Sequence, residues 1–485
     1  MRIAVIGAGV GGLAAAIRLA ALGHRVTVLE QAGMPGGKCG RVELGGHRFD
    51  SGPSLLTMPW VFEELFAATG APLGDEIELE RVEPGTDYRF ADGSRVRLGA
   101  DLPPTMAALE AFSPGAGEDW GRFLGVCAEM WQASVPVLTG PPPWPPRRPR
   151  LGAPAPDPRD LLRVRPWRTL RGLARSTCRD PRLAMVIERF ATYAGADPRR
   201  APAALAVAGY VEHAFGAWYV RGGIYSLVEA LVRRLETLGG ELRLATPVRG
   251  IARSGDRVSE VETDGGSLPC DAVVSSADSL ALHRDLLRDA PAAGAGSRER
   301  SLSGFALMLG LRGRTPGLAH HTILFPRDYD AEFDDVFRHR RPVRDPTLYV
   351  SAPADESQSP EGAESWFVLV NAPTHGAGLD WDAHADAYEE TVLERLARRG
   401  LDVRERIEVR ARRTPADLER ETGAVGGAIY GDAPHGRLGT LGRPPNVSKA
   451  LRGLYLVGGS THPGGGLPLV ALSGRIVAEE IGSAR

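Results

Sequence analysis

The chain has 485 residues, 43% of them hydrophobic, and a formal net charge of −2. That length holds two to four domains of about 100–200 residues, and near-neutrality excludes a global field drawing the protein to nucleic acid. The four scattered cysteines, Cys39, Cys127, Cys178 and Cys270, exclude a metal or redox spacing and fit a reducing compartment without disulfides.

A strand is expected from residue 3, which leaves no room for a signal peptide, and no apolar run is long enough to span a bilayer. Residues 3–6 are apolar and lead into Gly7-Ala8-Gly9-Val10-Gly11-Gly12. A helix-like segment over 13–22 ends at Gly23, and a second apolar run over 25–29 stops at Glu30. Strand, glycine turn, helix, strand and acid in this order make a dinucleotide-binding unit. Gly7 permits the tight turn, Gly9 lets backbone N–H groups approach a pyrophosphate, and Gly12 lets the helix pack on the strand. The positive helix end faces the phosphates, and Glu30 is placed to accept hydrogen bonds from a ribose diol. Two more glycine loops follow, Pro35-Gly36-Gly37-Lys38 and Phe49-Asp50-Ser51-Gly52-Pro53. With no second GxGxxG downstream, a single dinucleotide is expected.

Residues 60–69 read as an amphipathic helix. Alternation around Asp92-Gly93 predicts a hairpin with strands at 88–90 and 95–98, and helices are expected over 106–112 and 118–135. Residues 136–171 change character, with clustered prolines and Trp144, Arg147, Arg148, Arg163, Arg165, Trp167, Arg168 and Arg171. They read either as a proline-stiffened surface connection or as a membrane-surface lobe, tryptophans at headgroup level and arginines on acidic lipid. Helices at 181–196, 202–215 and 225–238 precede strands at 241–244, 248–253, 258–263 and 271–275. Strands at 301–311, 320–325, 347–352 and 366–371 are expected to wall a substrate cavity. A helix at 381–399, a strand ending at Gly458-Gly459 and a helix at 469–481 complete the chain. The expected fold is α/β. A Rossmann-type nucleotide domain is assembled from residues 1–70, 216–300 and 441–485. An α+β substrate domain comes from 71–135 and 301–440, and a helical membrane-proximal lobe from 136–215.

The loops at 35–38 and 49–53 resemble those of the FAD oxidoreductases that include amine oxidases and carotenoid desaturases. Over nearly its whole length the chain resembles the carotenoid desaturases of the bacterial phytoene-desaturase type. Beside the first glycines and Glu30, the resemblance rests on residues 216–223, His320-His321-Thr322 and above all 458–468. There the chain has Gly459-Ser460 where amine oxidases usually carry Gly-Asp. Gly427-Ala428-Ile429-Tyr430-Gly431 with Pro434-His435-Gly436 is similar to the 1-hydroxycarotenoid 3,4-desaturases and diapocarotenoid desaturases. The resemblance implies non-covalent FAD, a long apolar polyene substrate and a cytoplasmic protein attached peripherally to a membrane. It assigns Gly7, Gly9, Gly11 and Gly12 to the pyrophosphate, and Glu30 with Gln31 to the adenosine side. Gly37 and Lys38 go to the phosphate chain, Gly52, Pro53 and Ser54 to the flavin, and Val248 to the adenine. Gly458 and Gly459 approach the phosphate and ribityl chain, and Pro468 and Leu469 the pyrimidine edge of the flavin.

Desaturation removes a hydride and a proton from adjacent carbons, and flavin chemistry takes the hydride. Glu212 interrupts an apolar helix and is a candidate base or charge stabiliser; a solvated or arginine-paired glutamate is the plainer reading. His462 is a second catalytic candidate, although a hydrogen bond to backbone in its glycine-rich loop explains it adequately. His213, Tyr219 or His462 could meet a substrate hydroxyl. The segments assigned to the cavity wall, 203–210, 305–311, 320–325 and 366–370, offer almost no acid to hold an amine. The resemblance of 427–436 implies an FAD-dependent introduction of a C3–C4 double bond into a 1-hydroxylated acyclic carotenoid, with oxygen or a quinone as the candidate terminal electron acceptor. The alternatives are a phytoene or diapophytoene desaturase and, in another class, a non-catalytic prenyl-lipid-binding protein on the same fold. No Ser/His/Asp order or His/Cys cluster suggests hydrolysis or a metal.

Overall fold

The strand Arg2–Ile6 reads apolar from Ile3 to Ile6 because both of its faces are covered, as parallel sheets require. It is the middle of a five-stranded, all-parallel sheet in the order Leu454–Leu456, Ala272–Ser275, Arg2–Ile6, Arg25–Leu29, Glu241–Arg243. The structure, a computed structural model, describes residues 1–142, 158–287, 298–376, 378–437 and 439–484. Ile3, Val5, Val26 and Val28 join the core formed with the helices Val10–Ala21, Tyr225–Thr237 and Leu467–Ile481. Ala4, Ile6 and Leu29 point the other way, onto an antiparallel sheet of Val248–Ser254, Arg257–Thr263 and Gly266–Pro269. Small residues draw the first and last helices together: a Cβ on Gly474 would lie 2.7 Å from the Ala15 backbone nitrogen.

A second, seven-stranded sheet runs Ile407–Arg413, Ser303–Arg312, Ala363–Ala372, Leu348–Ser351, His321–Leu324, Thr86–Arg89, Arg95–Leu98. All neighbours are antiparallel except the pair of His321–Leu324 with Thr86–Arg89. Its outer strand Ile407–Arg413 was not expected. Nor was the hairpin Arg41–Leu44/His47–Asp50, which occupies the approach to the second glycine loop.

Because strand side chains alternate, the expected cavity wall divides in two. Phe305, Leu307, Leu309, Trp366, Val368 and Val370 pack behind the sheet with the helix Trp381–Arg398. Only the other face, with Ala306, Met308, Ile323, Phe325, Tyr349 and Phe367, shares a core with the nucleotide domain and the helical lobe. The inward wall is apolar, but it is made of half the residues the sequence suggested.

The helices Leu102–Phe112 and Ala116–Thr139 lead into the expected lobe, which contains Pro158–Arg163, Leu170–Thr177, Pro181–Arg189 and Val207–Phe215. Three of these helices enter the proline- and arginine-rich stretch 136–171: Ala116–Thr139 carries Pro136 inside it, Pro158–Arg163 lies within it, and Leu170–Thr177 begins near its end. Trp144, Arg147 and Arg148 lie outside the described residues. Arg171 forms ion pairs with Glu188 and Asp330, so it is an internal tie and not a lipid contact. Among the described residues no helix is long and apolar enough to cross a membrane.

Candidate active site

Each glycine of the first turn answers to a different neighbour. Gly7 has φ +92°, and its N–H donates to the Leu29 carbonyl at 2.8 Å, tying the turn to the adjacent strand. A Cβ on Gly12 would overlap the Gly7 carbonyl oxygen, so packing itself demands glycine there. A Cβ on Gly9 would meet only the Ser276 hydroxyl, at 3.5 Å. Packing does not demand glycine at position 9, and the cleared space is what a pyrophosphate needs at a helix N-terminus whose first N–H groups lack helical partners.

Three further segments converge on this space. The Gly36 N–H donates to the Ala8 carbonyl at 2.9 Å, and a Cβ on Gly37 would lie 3.6 Å from Gly9 Cα. A Cβ on Gly11 would lie 3.0 Å from the Gly458 nitrogen, which brings the late glycine pair against the first turn. Ser276 follows the strand Ala272–Ser275 and stands within 3.4–3.5 Å of the Cβ positions of Gly7, Gly9 and Gly458. It was missed in the sequence. The available signal was its place at the carboxyl end of a parallel strand, where open α/β sheets bind ligands.

Glu30 is 6% exposed. One oxygen accepts the Ala8 N–H at 2.7 Å and the other the Ala32 N–H at 2.9 Å. A carboxylate has about four acceptor sites, so capacity for a ribose hydroxyl remains. Thr246 N–H donates to the Glu30 carbonyl at 2.7 Å, which brings Val248, the first residue of its strand, alongside. Gln31 is exposed, and its amide donates to the Glu421 carbonyl at 3.3 Å.

The Lys38 side chain is used differently from the expectation. Its ammonium donates to the carbonyls of Ala428 and Ile429 at 2.8 and 2.7 Å, anchoring that segment, and burial lowers its pKa to about 8. A Cβ on Gly52 would overlap the Lys38 carbonyl oxygen, so this glycine seats one loop on the other. Arg413 donates to the Ser51 carbonyl at 2.9 Å, and Arg443 to those of Tyr430 and Gly459 at 2.9 and 2.8 Å. These two arginines clamp the loops around the expected flavin. Pro468 and Leu469 occupy the first turn of Leu467–Ile481, after Gly466 at φ +105°. Next to Pro53, the Ser54 hydroxyl bonds the Tyr349 hydroxyl at 2.5 Å, and that hydroxyl bonds His321 Nδ1 at 2.8 Å.

The catalytic and hydroxyl-binding candidates separate. His462 Nε2 bonds the Gly140 carbonyl at 3.0 Å, and burial lowers its pKa. The ring thus ties the lobe to the late glycine loop, the backbone bond that the sequence offered as the alternative to a catalytic part. His213 hydrogen-bonds the backbone of Gly99, and burial lowers its pKa as well. Tyr219 donates to Asp355 at 2.9 Å. Glu212 differs from all three. Its Oε1 is sealed from solvent without a hydrogen-bond partner among the described residues. Burial pushes its pKa up, while the Tyr193 hydroxyl and the Arg189 charge pull it down. Arg189, 9% exposed, donates to the Tyr193 hydroxyl at 3.1 Å and lies over the Tyr193 and Tyr349 rings at 5.2 and 5.7 Å. Sequence reasoning found Glu212 but not Arg189 or Tyr193. Among the described residues no group of His, Cys, Asp and Glu could hold a metal ion.

A Rossmann-type sheet whose glycine turn, buried acid and late glycine pair converge on one cleared space, beside a second, seven-stranded sheet, defines a dinucleotide-dependent oxidoreductase. The chain belongs to the family of flavin-containing amine oxidoreductases, whose pattern it matches over residues 10–482, and its cofactor is FAD. It is 36% identical to a hydroxyneurosporene desaturase of Rubrivivax gelatinosus, over 99% of this chain and 93% of that one. It is 35% identical to a 4,4'-diapolycopene oxygenase of a Methylomonas species, over 99% and 98%. Among solved structures it is similar to an oxidoreductase of Methanosarcina mazei, with a TM-score of 0.64, 17% identity and coverage of 99% and 100%.

Proposed function

We propose that this protein is an FAD-dependent carotenoid desaturase that introduces a C3–C4 double bond into a 1-hydroxylated acyclic carotenoid. The observation that carries this reading is the inward face of the second sheet. Ala306, Met308, Ile323, Phe325 and Phe367 offer a polyene an apolar surface, and Glu212, the carboxylate in electrostatic reach of Tyr349 on the same face, already faces the Arg189 charge. Burying a long hydrocarbon there gains about 25 cal/mol per Å², so no ion pair is needed to hold it. FAD, when bound, supplies the hydride acceptor; the accompanying proton leaves to a weak base or water, and oxygen or a quinone removes the electrons.

The chain's own part is placement. Gly9 clears the pyrophosphate space, and Glu30 takes the adenosine ribose. The N-terminus of Leu467–Ile481, with Pro468 and Leu469 in its first turn, would hold the pyrimidine edge of the flavin. Such a dipole contributes roughly 0.3–1 kcal/mol, less than the 1.4 kcal/mol of one tenfold in rate, so it tunes the flavin without driving the reaction. We assign residues 1–70, 216–300 and 441–485 to the FAD domain, 71–135 and 301–440 to the substrate domain, and 136–215 to a membrane-proximal lobe.

Relatives named for a desaturation and for an oxygenation stand at nearly equal identity, so the choice of substrate rests on the segment 427–436 and on chemistry. The test is anaerobic flavin reduction, with product spectra, by a 1-hydroxylated carotenoid, its non-hydroxylated parent, phytoene and a set of amines. Fast reduction by the hydroxylated polyene alone is expected. Faster reduction by phytoene would move the protein to the phytoene-desaturase reading, and reduction by an amine would overturn the polyene reading altogether.

A further inference from the structure

If the substrate carries a hydroxyl group, something in the apolar cavity must receive it, and the three residues expected to do so are engaged elsewhere. His213 is held at Gly99 and Tyr219 at Asp355, while His462 is taken by Gly140. Unpartnered buried polar atoms mark a different place. Arg189 is the centre of a group of tyrosines: Tyr88, Tyr193, Tyr329 and Tyr349 all lie within its electrostatic reach. It has no carboxylate within ion-pairing distance among the described residues. Glu212 is in reach of the same guanidinium. Two atoms of this group lack partners among the described residues, Glu212 Oε1 and the Tyr329 hydroxyl, and Tyr329 is only 5% exposed. Leaving a buried polar atom unpaired costs about 1–3 kcal/mol, and two such atoms in reach of one buried cation mark a place where a polar ligand group would be received.

The hydrogen-bond directions define what that group is. Arginine only donates and an ionised glutamate only accepts. The Tyr193 oxygen accepts from Arg189, which leaves its own O–H to donate toward Glu212. What stays open is an acceptor at Glu212 Oε1 and a Tyr329 hydroxyl that can donate or accept. A carboxylate would face the Glu212 charge and an ammonium the Arg189 charge, whereas a neutral hydroxyl can donate to Glu212 Oε1 without opposing either. The cluster also touches the flavin side, since Tyr349, beneath the Arg189 guanidinium, bonds Ser54 of the loop assigned to the flavin. The oxygen of a C1 hydroxyl stands only about three to four bonds from C3 and C4, so its seat must lie close to the flavin, as this one does.

We propose that Glu212, set by Tyr193 and Arg189, is the seat of the substrate's end-group hydroxyl, a specificity determinant in place of the base or charge stabiliser that the sequence offered as a candidate. This rests on the desaturase reading and sharpens it. A site built to bond a hydroxyl strongly disfavours the analogue that lacks one, because its own polar groups are then left unpaired.

The test uses FAD-loaded wild type, Glu212→Gln, Tyr193→Phe and Tyr329→Phe, each checked for flavin content and its bound-flavin spectrum. Two readouts are taken: kcat/KM for a 1-hydroxylated carotenoid and its parent, and the affinity of each polyene from titration of its absorbance shift without turnover. The wild type should prefer the alcohol by at least about tenfold in both, and each variant should lose most of that ratio. A ratio preserved in the variants, or both polyenes falling in parallel, overturns the seat while leaving desaturation standing. Absent turnover of any carotenoid, with the binding preference and its loss intact, would sink the desaturase reading and keep the seat. Equal binding of both polyenes by the wild type would sink the seat itself.

Discussion

A Cβ placed on Gly12 would overlap the Gly7 carbonyl oxygen, whereas one placed on Gly9 would meet nothing nearer than Ser276 Oγ at 3.5 Å. Two substitutions three residues apart should therefore fail differently. Gly9→Val should fold and lose FAD, because the side chain fills the pyrophosphate's space. Gly12→Ala should lower the stability of the flavin-free protein by about 1–3 kcal/mol, the usual cost of overpacking. Flavin content together with apo-protein melting separates the two, and equal apo melting of both variants would contradict the assignment. Asp50 makes a second residue-scale case. Its oxygens accept the N–H groups of Ile224 and Tyr225 at 2.8 and 3.0 Å, at the start of Tyr225–Thr237. Burial nevertheless raises its pKa to about 6, above the usual 3.9 or so of an unfolded chain. The folded state thus holds a proton that the unfolded state has released. This contribution to stability is fully present below about pH 4 and is lost as the pH rises through about 6. Melting temperature against pH for Asp50→Asn, compared with wild type, should lose that fall between pH 4 and 6; an identical slope would refute it.

Elements were legible where period and glycine spacing agreed. The parallel strands appear as apolar runs because both faces are covered, and the glycine turn announces its helix. Ile407–Arg413 was not legible: it reads I-E-V-R-A-R-R, because Arg410 and Arg412 pair with Glu389 of the helix Trp381–Arg398 while Arg413 turns inward to Ser51. Leu170–Thr177 was hidden among arginines and tryptophans. Of the Arg189 cluster only Glu212 had a sequence signal, as an acid within an apolar helix; the members come from positions 88, 189, 193, 212, 329 and 349, and folding assembles them. Period two was legible, but not which face looks inward. Trp366, 0% exposed behind the sheet, should cost about 3–5 kcal/mol as Trp366→Ala without changing polyene selectivity. Its neighbour Phe367, on the inward face, should raise KM for the polyene as Phe367→Ala. Denaturant melts and steady-state kinetics of the pair decide it, and a reversed pattern would mean the cavity lies behind the sheet.

At the scale of the whole molecule, a polyene substrate dissolves in membrane and not in water, yet no described helix crosses one. With a net charge of −2 there is no general attraction to acidic lipid, so any attachment must be local. The lobe provides a local surface: Leu162 is 60% and Trp167 54% exposed, unusual for such large apolar side chains, with Arg163 and Arg165 between them. Each arginine close to an anionic leaflet is worth about 1 kcal/mol, and the tryptophan adds a contact at headgroup level that salt does not screen. Flotation with anionic liposomes should accordingly show two separable components. Arg163→Gln with Arg165→Gln should lower binding several-fold at low salt and little at high salt, whereas Trp167→Ser should lower it at both. Arg171→Gln belongs to neither component. By breaking the pairs with Glu188 and Asp330 it should destabilise the fold, by up to about 3–5 kcal/mol where the partner left behind is buried. Binding indifferent to salt and to all three surface substitutions would make the lobe a connector, and the polyene would then have to reach the cavity by another face.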